Sequence, residues 1–135
     1  MTLAIEAPRE SKVMLWTGRV LTTLIVLFML MDGAMKLNPP PFVVEATIKL
    51  GYPESSIRPI GAAALLGAIL YAIPQTSVLG AIILTGFLGG AVATHVRAGE
   101  SNWIFAVVFG IVTWLGLYLR DARLRALLPL RQMPR

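Results

Sequence analysis

Four long apolar blocks, each closed by residues that cannot continue a helix, constrain this chain more than any other feature. They cover residues 13–37, 57–73, 77–95 and 103–119. At 1.5 Å of helix rise per residue, blocks of about 17–25 residues match a hydrocarbon layer ~30 Å thick. Asn38 followed by Pro39, Pro40 and Pro41 ends the first block, because three prolines in a row remove the donors a helix needs. Ser55 or Ser56 is placed to cap the second, and Pro59 falls in its first turn, where a missing N–H costs little. Pro74, Gln75 and Thr76 form a tight turn before the third block, and residues 98–102 separate the third from the fourth.

Composition decides between lipid and a soluble bundle. The chain is 56% hydrophobic and 14% charged, with a mean hydropathy of +0.74. A helix of a soluble bundle keeps a polar stripe. Between Val78 and Val92 the only polar side chain is Thr85. The expected fold is all-α, an integral membrane four-helix transmembrane bundle. Its parts are a polar N-terminal tail over 1–12, a transmembrane domain over 13–119 and a basic amphipathic tail over 120–135. No signal-type cleavage site follows a short apolar core, so the first helix is expected to be retained.

The net charge of +5 lies between and beyond the apolar blocks. Membrane topology accounts for it, and nucleic-acid binding is not expected. Four crossings put both termini on one side. That side collects eight cations (Arg9, Lys12, Arg19, Arg120, Arg123, Arg125, Arg131 and Arg135), against four on the other (Lys36, Lys49, Arg58 and Arg97). The excess predicts cytoplasmic N- and C-termini in a multi-pass protein of a bacterial plasma or inner membrane.

Two segments are too short or too charged to span. Residues 42–52 hold Glu45 four positions before Lys49, which suits an (i, i+4) ion pair on a short interfacial helix between the first two spans. Residues 119–130 place Leu124, Leu127 and Leu128 on one helical face among arginines, as an inner-leaflet anchor would.

The chain has no cysteine and one histidine, His95. Disulfides, cysteine-ligated clusters and a multi-histidine metal site within one copy are thereby excluded, and no metal is expected.

The first block carries a conflict. Arg19 and Asp32 bracket twelve apolar residues, only ~18 Å of helix, so both cannot reach the headgroups. Arginine can snorkel along its stem, whereas aspartate has almost none. Asp32 either pairs with Lys36 one turn on, or faces the bundle interior in a polar pocket. The chain's up-and-down course gathers Asp32, Lys36, Arg58, His95, Arg97 and Glu100 at the outer end. These, without Glu100, are the candidate ligand-binding residues. His95 either closes its helix as a hydrogen-bonded side chain or contacts a ligand or proton. Tyr52, Tyr71 and Tyr118 and the tryptophans read as interfacial by position.

The third block is rich in small residues. Gly86, Gly89, Gly90 and Ala93 form a helix-packing face with GxxxG-type spacing. Three uses stay open: packing within the chain, homodimerisation, or a glycine-lined groove for a ligand tail. No P-loop, GxSxG, HExxH or dinucleotide fingerprint is present, so no catalytic residue is assigned.

Several stretches together resemble the DoxX-like family of small four-helix membrane proteins. They are Gly18-Arg19, Asp32-Gly33 with Lys36, Leu50-Gly51-Tyr52-Pro53, Thr85-Gly86, Gly89 to Arg97 (GGAVATHVR) and Leu119 to Arg125 (LRDARLR). The resemblance implies the four-helix fold. It implies less about activity: some relatives serve membrane redox work with quinones or oxidative-stress complexes, and others act as cargo receptors or assembly chaperones. The first functional expectation is a non-enzymatic membrane subunit or binding module, with a polar pocket at the outer end holding a lipid-like molecule. Its partner would be a membrane redox or stress-response protein, or a second copy. The alternative is a quinone-linked oxidoreductase component, and a small transporter ranks third.

Overall fold

The structure is a computed structural model that describes residues 11–131. The remainder of the N-terminal tail and the last four residues lie outside it. Four long helices are α1 (Lys12–Leu37), α3 (Ile57–Ala72), α4 (Ser77–Arg97) and α5 (Trp103–Arg120). Two shorter ones are α2 (Pro41–Lys49) and α6 (Ala122–Arg125). All four long helices, with the turns leading into α3 and α4, are long and apolar enough to cross a membrane. Their boundaries fall within two residues of those the breakers predict.

The packing is a ring. α1 lies against α3 and α5, and α4 closes the ring between α3 and α5, while α2 stays outside. The end bearing the termini is called the terminal end, and the end bearing α2 the distal end.

Backbone approach at glycines builds most of the ring. A Cβ on Gly33 would sit 2.9 Å from the Gly61 carbonyl oxygen, and one on Gly61 would sit 2.9 Å from that of Gly33, so α1 and α3 touch backbone to backbone. A Cβ on Gly18 would lie 2.9 Å from both the Gly116 oxygen and the Arg120 nitrogen of α5. A Cβ on Gly80 would run into the backbone nitrogen of Tyr71, which fixes α4 against α3. Small faces of this kind allow the close dispersion contact that holds helices together in lipid. Phe28 and Phe109 add a stacked pair between α1 and α5, with ring centroids 4.4 Å apart.

The terminal end is sealed by a polar knot. Tyr71 is fully buried, which corrects its reading as an interfacial ring. Its hydroxyl donates to the Thr113 carbonyl of α5 at 2.6 Å and lies 3.5 Å from Thr22 Oγ1 of α1. Arg120 Nη2 donates to the Tyr71 carbonyl at 2.9 Å, and its guanidinium carbon stands 5.1 Å from the Tyr71 ring centroid. Arg120 therefore satisfies an orphan carbonyl at the end of α3. Arg125 Nη1 does the same for α5, donating to Tyr118 and Leu119 at 2.7 and 3.0 Å.

Three local expectations change. Asp121 leaves the α5 helix and accepts from the Arg123 backbone N–H, so after α5 the described part of the tail is helical only over Ala122–Arg125 and is not one long amphipathic helix. Leu124 is buried, whereas Leu127 and Leu128 remain exposed. Glu45 and Lys49 are both exposed and unpaired with each other. Ser56 does not cap α3 and instead donates to the Pro53 carbonyl at 2.7 Å.

This packing sets the expected stability of three variants. Gly80→Ala forces a Cβ into backbone and is expected to destabilise the folded protein by about 2–3 kcal/mol, whereas Gly89→Ala, in open space, is expected to stabilise it by up to about 1 kcal/mol. Tyr71→Phe removes one buried donor and is expected to cost about 1 kcal/mol. Thermal unfolding of the three variants in one detergent checks the order.

Candidate functional site

At the distal end the polar residues sort into pairs. Asp32 and Lys36 sit one turn apart on α1, and Lys36 Nζ donates to Asp32 Oδ2 at 2.6 Å. The side chains retain 24% and 21% exposure, respectively. Lys36 Nζ also lies 5.2 Å from the centroid of the Phe87 ring on α4, close enough for a cation–π contact. At the end of α4, His95 Nδ1 is 2.9 Å from Glu100 Oε2. The Glu100 N–H donates to the His95 carbonyl at 3.0 Å, and this turn brings the carboxylate back to the ring. Arg19, the other half of the conflict in α1, lies 5.2 Å from the Trp16 ring, one turn towards the terminal end, as snorkelling requires.

An open-sided groove of about 530 Å³ runs between α3 and α4. Lys36, Thr47, Tyr52, Thr94 and His95 line its distal mouth. Ile60 and Ala63 of α3 face Gly86, Phe87 and Gly90 of α4 along its apolar length. From Gly86 to His95 the helix climbs ~13 Å, so the groove joins a polar mouth to an apolar track. The 50–52 turn closes over the mouth. Gly51 permits it with a φ of +93°, a value in the left-handed region that glycine tolerates. Tyr52 Oη then lies 2.7 Å from Thr94 Oγ1.

The groove brings together only part of the candidate set. Lys36 and His95 line it, and Asp32 reaches it through Lys36. Arg97 is exposed beside the Gly51 turn and outside the lining. Arg58 stands apart, exposed in a shallow hollow with Pro39, Glu54 and Ser55.

Among the described residues, nothing packs on the small face of α4. A Cβ on Gly86, Gly89 or Gly90 would meet nothing within 4 Å, and Ala93 is exposed. Gly86 and Gly90 belong to the α3–α4 groove. Gly89 faces a second hollow of about 680 Å³ between α4 and α5, with Gly110 opposite and Leu128 and Pro129 at its terminal end. Trp114 Nε1 donates to Thr85 Oγ1 at 2.7 Å across this hollow. Among the described residues no group of three or more His, Asp and Glu side chains converges as a metal site would.

Thr47, Tyr52 and Thr94 contribute to the mouth without having been candidates. Thr94 and Tyr52 both fall in stretches that carry the family resemblance, and Tyr52 also reads as an interfacial aromatic, but neither stands out as a site residue. Isolated hydroxyls carry no spacing signal, so only the tertiary fold gathers them.

No curated protein and no solved structure matches the chain. The model of the DoxX-like family matches residues 20–116, well over half of the chain. The matched region takes in Asp32, Lys36, Tyr52 and the whole of the Gly89 to Arg97 stretch, and stops short of the basic exit after Leu119. With four helices fit to span a bilayer, this multi-pass membrane protein belongs to the DoxX-like family.

Proposed function

We propose that the protein is a non-enzymatic membrane module that holds an amphiphile in the α3–α4 groove, with the distal end on the outer side of the membrane. One observation carries the reading: a polar mouth and a glycine-floored apolar track share a single groove. Gly86 and Gly90 meet nothing within 4 Å of where a Cβ would stand, which leaves a surface that a ligand tail can approach closely. The exposed flank of α4 suits a subunit that packs against a neighbour. Gly89 and Ala93 leave that flank open to a neighbouring helix, from a second copy or from a redox or stress-response partner.

Extraction into lipid nanodiscs followed by native mass spectrometry tests the module. A bound amphiphile is expected, and Gly86→Leu with Gly90→Leu is expected to reduce its occupancy at least ~10-fold by filling the track. An adduct untouched by these substitutions overturns the groove assignment. A bound quinone with quinone-dependent electron transfer moves the protein to the oxidoreductase reading.

Orientation has its own test, because the chain has no native cysteine. A membrane-impermeant maleimide is expected to label Ser101→Cys in intact cells. Gln75→Cys, in the α3–α4 turn, is expected to react only after permeabilisation. The reverse pattern inverts the topology.

A further inference from the structure

Hydroxyl groups at the mouth of the α3–α4 groove have already spent their hydrogens. Thr94 Oγ1 donates to the Gly90 carbonyl at 2.8 Å, and Thr47 Oγ1 donates to the Val43 carbonyl at 2.8 Å. Each hydroxyl owns one hydrogen. With that of Thr94 committed, Tyr52 is the donor in the 2.7 Å contact between the two. Three oxygens thus present lone pairs, and no hydroxyl hydrogen remains for a ligand. The one strong donor in the lining is Lys36, whose ammonium has three N–H groups and gives one to Asp32. Asp32 also cancels its charge. His95, also in the lining, meets Glu100 through Nδ1 alone, and its second ring nitrogen adds one further polar atom to the inventory.

From this inventory we infer that the groove takes an amphiphile with an uncharged, hydroxyl-bearing head, a long-chain alcohol or glycerol monoester, and that Asp32 sets this selectivity. The proposal rests on the groove being a binding site. An alcohol head donates to the lone pairs of Tyr52, Thr94 and Thr47 and accepts from the free N–H groups of Lys36. An ester or ketone head, which only accepts, leaves those lone pairs unmet. A carboxylate or phosphate head faces the same lone pairs, which repel it, and must compete with Asp32 for Lys36. Specificity of this sort comes from what the wrong head leaves unpaired.

Three probes with one C18 chain separate these cases: oleyl alcohol, methyl oleate and ionised oleate. The protein is held in phosphatidylcholine nanodiscs and competition is read by native mass spectrometry. Oleyl alcohol is expected to bind roughly 10-fold more tightly than either of the others, the scale of one or two net hydrogen bonds. Asp32→Asn frees the Lys36 charge and is expected to bring oleate to parity with the alcohol or beyond. Tyr52→Phe, at the rim and outside the helix core, removes an acceptor and is expected to weaken the alcohol several-fold while leaving methyl oleate unchanged. Equal binding of all three probes by the unsubstituted protein overturns the headgroup assignment and leaves the groove standing. Binding of none overturns the assignment together with the groove reading.

Discussion

Helices in lipid gain nothing from hiding apolar side chains from one another, because the lipid tails are as apolar as leucine. What holds this ring is close backbone approach. Three of its four seams are made that way, at Gly33 with Gly61, at Gly18 with Gly116, and at Gly80 against Tyr71. The fourth seam, α4 with α5, has no such glycine contact. There Gly89 and Gly110 stand open across a hollow, and the helices are joined by the Trp114–Thr85 hydrogen bond. α3 and α4 likewise part towards the distal end, where the groove opens, so both flanks of α4 border open space.

The two ends of the bundle treat their polar groups in opposite ways. At the terminal end Tyr71, Thr22, Thr113 and Arg120 turn inward, with Tyr71 bonded to Thr113 and Arg120 Nη2 to the Tyr71 carbonyl, so that end is closed, although Arg120 Nε is buried without a partner among the described residues. At the distal end the polar groups are paired yet remain at the rim of an open groove. α4 takes part in both: Gly80 locks it to α3 near one end, and Gly86 and Gly90 leave space beside it towards the other. The open end of the groove is thereby mounted on a fixed base.

Much of the fold was legible along the chain, because lipid forces every backbone group to bond within its own helix and proline runs end such helices unambiguously. The Asn38–Pro41 break, the Pro74 turn and the length of each apolar block therefore read directly. The Asp32–Lys36 pair was legible for the same reason, since an (i, i+4) contact depends only on helix geometry. The site was legible in part. His95 and Lys36 met because the chain runs up and down, but Arg58 projects elsewhere, and Thr47, Tyr52 and Thr94 had no spacing to betray them. Tyr71 misled for a clear reason. A tyrosine near a helix end usually sits at the interface, and only the partner helices decide that this one turns inward.

By itself, then, the sequence determined four membrane-spanning helices, their ends, the placement of charge at each end and the local pair on α1. All of these depend on residues within a turn or two of one another, or on solvent. Only the tertiary structure decided which glycines pack and which stay open. The spacing of Gly86, Gly89 and Gly90 is the same whether a helix, a ligand or lipid lies against them, whereas Gly18, Gly33, Gly61 and Gly80 stand in no repeated pattern and yet carry the contacts. A small residue permits close approach, but what approaches is set by the rotation of each helix about its axis, and that rotation is fixed by all four seams of the ring at once.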